Sequence, residues 1–163
     1  MNISVAWLRA VAPALDDTPA ELARRLSLQA VAVDLVEPLG DGLGDVVVGR
    51  VLSAARHPDA DRLTLCRVDA GTGEPLDVVC GAPNVVEGAS YPFVPPGGTL
   101  PGGMTIEKRK IRGVVSHGML CSEQELGLGR DAAGILRPAD GLEPGTPLAG
   151  ALGCFVAGEE RAK

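Results

Sequence analysis

Arg62-Leu63-Thr64-Leu65-Cys66-Arg67-Val68-Asp69, Ala70-Gly71-Thr72-Gly73-Glu74-Pro75 and Leu76-Asp77-Val78-Val79-Cys80 run on without a break, and this stretch decides the fold. The first piece alternates, with Leu63, Leu65 and Arg67 on one side and Thr64, Cys66 and Val68 on the other. The middle piece is turn chemistry, and the last is a short β-branched return, so the whole predicts a β-hairpin. Upstream, Val46 to Ala55 predicts a long strand. Downstream, Tyr91 to Pro95 and Thr105 to Val114 predict two more, and Ile135-Leu136 a last short one. Strands this short, spaced this closely by turns, predict a small barrel of about five main strands. A sandwich would ordinarily call for about seven.

Composition agrees. The 163 residues carry 22 Gly and 13 Pro, enough turn formers to favour short strands over a helix bundle. Apolar residues are 45% of the chain, so a packed core is within reach and wholesale disorder is not expected. No apolar run approaches the roughly 20 residues of a membrane span. The first residues lack the basic lead and apolar run of a secretory leader, so a soluble, cytoplasmic protein is expected. Cys66, Cys80, Cys121 and Cys154 show no metal or redox spacing and sit among apolar neighbours, which predicts reduced, buried thiols. His57 and His117 add no metal site, and no acid/base pair or nucleophile–His set stands out.

Residues 1–38 form a separate α/β appendage. Ser4 to Arg9 predicts a short helix capped by Ser4, and Thr18-Pro19-Ala20-Glu21 is a capping box with Pro at the first helical position. That second helix carries Leu22 and Leu26 on one face, and Ala30 to Val36 predicts a strand. Gly40 to Asp45 predicts a linker; it lacks the Lys-Ser/Thr ending of a phosphate-binding loop. Cys121 to Arg130 predicts a brief helix with Ser122 as N-cap and Gly127 or Gly129 as its stop. The domains are therefore 1–38, the barrel at 39–150, and a tail at 151–163.

Three motifs lie in order along the barrel: His57-Pro58-Asp59-Ala60-Asp61-Arg62-Leu63; Val79-Cys80-Gly81-Ala82-Pro83-Asn84-Val85; and Lys110-Ile111-Arg112-Gly113-Val114-Val115-Ser116-His117-Gly118-Met119-Leu120-Cys121-Ser122 with Glu125-Leu126-Gly127-Leu128. Pro96-Gly97-Gly98 and Leu100-Pro101-Gly102-Gly103 fall between the second and third. Over about residues 45–150 they resemble the tRNA-binding OB domain. That domain is shared by the β subunit of phenylalanyl-tRNA synthetases, the C-terminal extension of some methionyl-tRNA synthetases, free tRNA-binding cofactors and endothelial monocyte-activating polypeptides. The opening, Ile3 to Leu8 and Thr18 to Leu26, is similar to that of the phenylalanyl β subunit.

The resemblance implies a five-stranded OB barrel, mainly β with short helices, acting as a tRNA-binding module of a phenylalanine–tRNA ligase. It implies an opening fragment of a much longer subunit, with partners in the α subunit and the rest of the β subunit of an (αβ)₂ heterotetramer. The catalytic site would lie in the α subunit; ATP and Mg²⁺ would belong to the whole enzyme and no cofactor to this piece. Two other functions fit an OB module: a non-catalytic protein-interaction scaffold, and a free-standing tRNA-binding cofactor.

The charge balance bears on the choice. Net charge is −6, and residues 39–150 hold 10 Lys and Arg against 14 Asp and Glu, a net of −4. A phosphate-binding role then requires cations gathered in one place. Lys108, Lys110 and Arg112 share one face of an extended strand, with Arg109 opposite; Arg50, Arg56, His57 and Arg62 flank the first hairpin. Ser116 and His117 complete the candidate RNA-binding set. Asp59 and Asp61 are expected to fasten the tip of that hairpin by hydrogen bonds to backbone N–H groups. Met119 is expected to fill the end of the barrel. Tyr91 and Phe93 alternate around Pro92 and are expected to fill the core rather than stack on bases. Recognition by backbone and shape is therefore favoured over base stacking.

Overall fold

The computed structural model describes residues 5–34, 36, 42–138 and 141–151, which fall in two compact units, within Met1–Leu39 and Gly40–Leu152.

In the first unit, α1 spans Val5–Val11 and α2 spans Pro19–Gln29. The predicted cap Ser4 lies outside the described residues. The capping box of α2 is complete: Glu21 N–H donates to Thr18 Oγ1 at 3.3 Å, and Thr18 N–H to Glu21 Oε2 at 2.9 Å. The Thr18 hydroxyl, which donates to Glu21 Oε2 at 2.7 Å, and then the Thr18 N–H hold the Glu21 carboxyl below its ordinary pKa. Leu22 is buried and Leu26 half-buried on the predicted face. The strand expected at Ala30–Val36 is not seen in its described part, 30–34 and 36. Its N–H groups turn back on the helix instead: Val31 donates to Leu26 O, and Val33 to Ser27 Oγ. An extended segment becomes a strand only when its backbone groups go to a neighbour strand.

The second unit is a nearly closed antiparallel barrel. Its strands are β1 (Val47–His57), β2 (Ala60–Asp69), β3 (Leu76–Cys80), β4 (Ser90–Val94), β5 (Arg109–Ile111), β6 (Val114–Ser116) and β7 (Met119–Leu120). The main sheet runs β3-β2-β1-β4-β7, and β5 pairs only with β6. β1 serves both halves, pairing with β4 through residues 47–50 and with β2 from Arg50 onward. A bulge between Val51 and Ser53 bends it, as closing a small barrel requires.

The fifth barrel strand is not Thr105–Val114, as the sequence suggests. Arg112 and Gly113, with φ of 47° and 91°, turn that segment into a two-residue hairpin between β5 and β6. The strand that closes the barrel is the broken run β6–β7. On one side it meets β3, where Val79 N–H donates to Ser116 Oγ and His117 N–H to Asp77 O. On the other it pairs with β4, Phe93 facing Leu120. Gly118, at φ 121°, makes the break: a Cβ there would sit 2.5 Å from the Phe93 ring.

The core is Val51, Cys66, Val68, Val78, Tyr91, Phe93, Leu120 and their neighbours. The Thr64/Cys66/Val68 side of β2 therefore faces inward, and the aromatics are core, as expected. Leu120 takes the core place at the barrel end, while Met119 is half-buried. The predicted linker is partly structural: Leu43 is fully buried, and Asp45 Oδ2 accepts from Thr99 N–H. The brief helix after Cys121 is one turn only. Ser122 and Glu125 form a capping box, Leu126 N–H donates to Ser122 O, and Gly127 at φ 66° ends it. Ile135-Leu136 is not a strand; Leu136 N–H donates to Cys121 O, and Asn84 holds Ile135.

Candidate nucleic-acid interface

Six of the ten Lys and Arg in residues 39–150 stand on or beside two loops. In OB terms the β1–β2 connection and the long connection from β4 to the closing strand are the loops that flank the nucleic-acid face of strands 2 and 3. Arg56 and Arg62 flank the first. Lys108, Arg109, Lys110 and Arg112 stand on the second, which includes the β5–β6 arm.

Register brings the two loops to one end. Arg56 pairs with Thr64, and Thr64 with Cys80, across β1, β2 and β3. The bonds Val79–Ser116 and Asp77–His117 run in the antiparallel sense and carry this level on to β6. The Arg112–Gly113 tip therefore points toward the same end as the His57–Ala60 tip. A surface cleft of about 570 Å³ lies at that end beneath Arg56 and Arg62, with Gly81, Ala82, Pro83 and Val85 on its far wall.

Lys108, Lys110, Arg112 and Arg62 are exposed, and among the described residues none has a carboxylate within ion-pair reach. Arg56 meets Asp61 at 3.4 Å, but both side chains are largely in water, with 74% and 92% of their surfaces exposed, so the pair is weak and exchangeable. The expected common face of Lys108, Lys110 and Arg112 holds only in part. Lys110 stands opposite exposed Val115 on the outer side of the arm, while Arg112 occupies the turn itself, where strand alternation ends.

Four candidates are placed elsewhere. His57 is buried; its Nδ1 accepts the Asp59 N–H at 3.1 Å, which leaves the ring proton on Nε2, a buried atom without a partner among the described residues. The hairpin tip is thus fastened by the imidazole, not by the carboxylates of Asp59 and Asp61. Ser116 is buried and spends its hydroxyl on closing the barrel, accepting from Val79 N–H and donating to Gly118 O, both at 3.0 Å. Its burial next to β3 removes it from phosphate. Arg50 is half-buried and donates to Leu142 O at 3.3 Å, which fastens the C-terminal segment to β1. His117 contributes its backbone to closure and keeps a half-exposed ring.

Asn84, part of the Val79–Val85 motif, is a structural residue. Its Nδ2 donates to Ile135 O at 2.8 Å, and its Oδ1 accepts from Ile135 N–H at 2.9 Å. Tyr91 Oη joins the same bracket, donating to Asn84 O and accepting from Val86 N–H. These bonds hold the Gly81–Val85 wall of the cleft. In the sequence Asn84 stands out only as a member of that motif, with nothing to mark its partner Ile135.

Cys66, Cys80 and Cys121 are free and buried. Burial pushes the Cys66 thiol up to about 12, and it raises Cys80 and Cys121 as well. Thiols so protonated are poor nucleophiles and poor metal ligands. Among the described residues no group of three or more His, Cys, Asp or Glu is placed to hold a metal ion, and no helix is long and apolar enough to cross a membrane.

Fold and rim together define the class: an OB-type β-barrel module with a cluster of cations on two neighbouring loops, Arg62, Lys108, Lys110 and Arg112 among them unpaired within the described residues. The chain belongs to the putative tRNA binding domain family, whose model matches residues 46–147. It is 50% identical over 136 residues to the phenylalanine–tRNA ligase beta subunit of Nitratidesulfovibrio vulgaris, covering 83% of this chain and 17% of that protein. To the phenylalanine–tRNA ligase beta subunit of Xanthomonas campestris pv. campestris it is 48% identical over 153 residues, 94% of this chain and 19% of that protein. The chain thus spans less than a fifth of the length of these curated relatives. Among solved structures, the chaperone CsaA of Bacillus anthracis is similar with a TM-score of 0.45 and 18% identity, over 69% of this chain and 97% of that one.

Proposed function

We propose that this chain is the tRNA-binding module of the beta subunit of a cytoplasmic phenylalanine–tRNA ligase. The observation that carries the reading is the set of unpaired cations, Arg62, Lys108, Lys110 and Arg112, on the two loops at one end of an OB barrel whose family is defined by tRNA binding. On an acidic body, a local cationic rim steers a polyanion toward that rim. With its aromatics in the core, the module grips backbone and shape rather than stacking bases. The module performs no chemistry. Attachment of phenylalanine, with ATP and Mg²⁺, belongs to the rest of an (αβ)₂ enzyme, the α subunit and the remainder of the beta subunit. The length of the relatives supports that division.

The test is filter binding of tRNA specific for phenylalanine at stepped salt, using the chain and a variant with Lys108, Lys110 and Arg112 changed to Glu. Affinity should fall as salt rises, and the reversal should weaken binding at least tenfold and flatten the salt dependence by about two units of slope. No binding at low salt, or binding indifferent to salt, overturns the reading and favours a scaffold whose net-acidic surface excludes RNA.

A further inference from the structure

Arg112 is the one non-glycine among the described residues with positive φ, at 47°. With Gly113 at 91°, it forms the two-residue turn between Ile111 and Val114. Turns with both central residues at positive φ match the twist of the flanking strands, and they favour Asn or Asp followed by Gly. Gly113 fits that preference. Arg112 does not: a Cβ in the left-handed region crowds its own backbone, at a cost of roughly 1–2 kcal/mol.

Among the described residues nothing offsets this strain. Arg112 is exposed, and its side chain has no hydrogen-bond or ion-pair partner among the described residues. Nor does bulk charge explain it, because Lys108, Arg109 and Lys110 precede it at positions without that strain. A diffuse positive field gains little from a fourth cation in a costly conformation. A strained residue held with no internal partner marks a functional constraint. The turn itself is short, and the arm behind it is tied to β3 through Ser116, so the guanidinium has a defined origin at the end of a braced ribbon.

We infer that Arg112 makes a directional contact, its guanidinium fork gripping one backbone phosphate of the RNA, and that fold stability is sacrificed to place it. The inference rests on the proposed tRNA binding and deepens it. It separates Arg112 from Lys108 and Lys110, which act as point charges in the field. A planar fork donates two parallel hydrogen bonds to a phosphate, which an ammonium does not reproduce.

Three variants test this by thermal unfolding and by tRNA filter binding at fixed salt. Arg112→Asn relieves the strained turn, so Tm should rise by about 3 °C while affinity falls at least tenfold. Arg112→Lys keeps the charge and loses the fork, so affinity should fall about fivefold or more. Arg130→Asn removes the same charge from an exposed position off the arm, and affinity should stay within twofold. An Arg112→Asn protein no more stable than the parent removes the strain argument and overturns the inference. So does an Arg112→Lys protein that binds like the parent; the tRNA reading then stands, with Arg112 as one more field charge. Failure of the parent chain itself to bind tRNA is a separate result, and it overturns the tRNA reading together with the contact built on it.

Discussion

The Ser116 hydroxyl accepts a hydrogen bond from Val79 N–H at 3.0 Å and donates one to Gly118 O, so one buried side chain joins β3 to the closing strand. Strand pairing alone does not complete the barrel there. A side chain stands in for the missing rung, and its position also sets where the β5–β6 arm begins.

Ser116→Ala should therefore destabilise the barrel by about 1–3 kcal/mol, because the Val79 N–H is left buried without an acceptor. Urea unfolding should show a lower midpoint with an unchanged slope. Hydrogen exchange at Val79 should rise more than at the central β1–β2 pairs.

Gly118→Ala should be more damaging. The added Cβ would approach Cε2 and Cζ of Phe93 to 2.5 Å and Val94 O to 2.6 Å, on a backbone at φ 121°. Neither the core ring nor the backbone carbonyl can give way cheaply, so a loss of about 4 kcal/mol is expected, with weak expression or a greatly lowered Tm as the readout. Gly113→Ala, with φ 91° but open space around it, should cost only about 1–2 kcal/mol.

Asn84→Asp should cost about 2 kcal/mol despite its near-identical shape. Oδ1 would still accept from Ile135 N–H, but the second oxygen would face Ile135 O, acceptor against acceptor. Asn84→Asp should be rescued in part at low pH, where the new carboxyl regains a proton to donate; a melting series from pH 7 to pH 4 reads this directly.

The three buried thiols make stability sensitive to alkali. Their pKa values are raised in the folded state, Cys66 to about 12, so the folded chain holds protons that the unfolded chain releases above about pH 8.5. Their contribution is complete below the unfolded pKa and is lost as pH rises toward 12. Unfolding free energy should decline from about pH 9 upward, and Cys66→Ala with Cys121→Ala should flatten that decline. Iodoacetamide at pH 8 should label these thiols only in denaturant.

Much of the barrel was legible along the chain. Alternation in Arg62–Asp69, the Gly-rich turn after it and the β-branched return placed β2 and β3 within a residue or two, and the capping box placed α2. Those signals are local, since propensity and turn chemistry act over a few neighbours. The fifth strand was misplaced because Lys108 to Val114 reads as extended either way, and a non-glycine at positive φ leaves no mark in composition. Among the cations, Arg62, Lys108, Lys110 and Arg112 were legible as charges, but their freedom from partners was not.

By itself, then, the order of residues determined the β character, the β2–β3 hairpin, the apolar setting of the cysteines and the likeness to tRNA-binding OB domains. Only the tertiary structure decided that Ser116 and His57 turn inward, that β6–β7 closes the barrel, and that the two cationic loops share one end. The physical reason is register. Which way a strand side chain faces depends on hydrogen bonds to segments distant in the chain, and a slip of one residue reverses it.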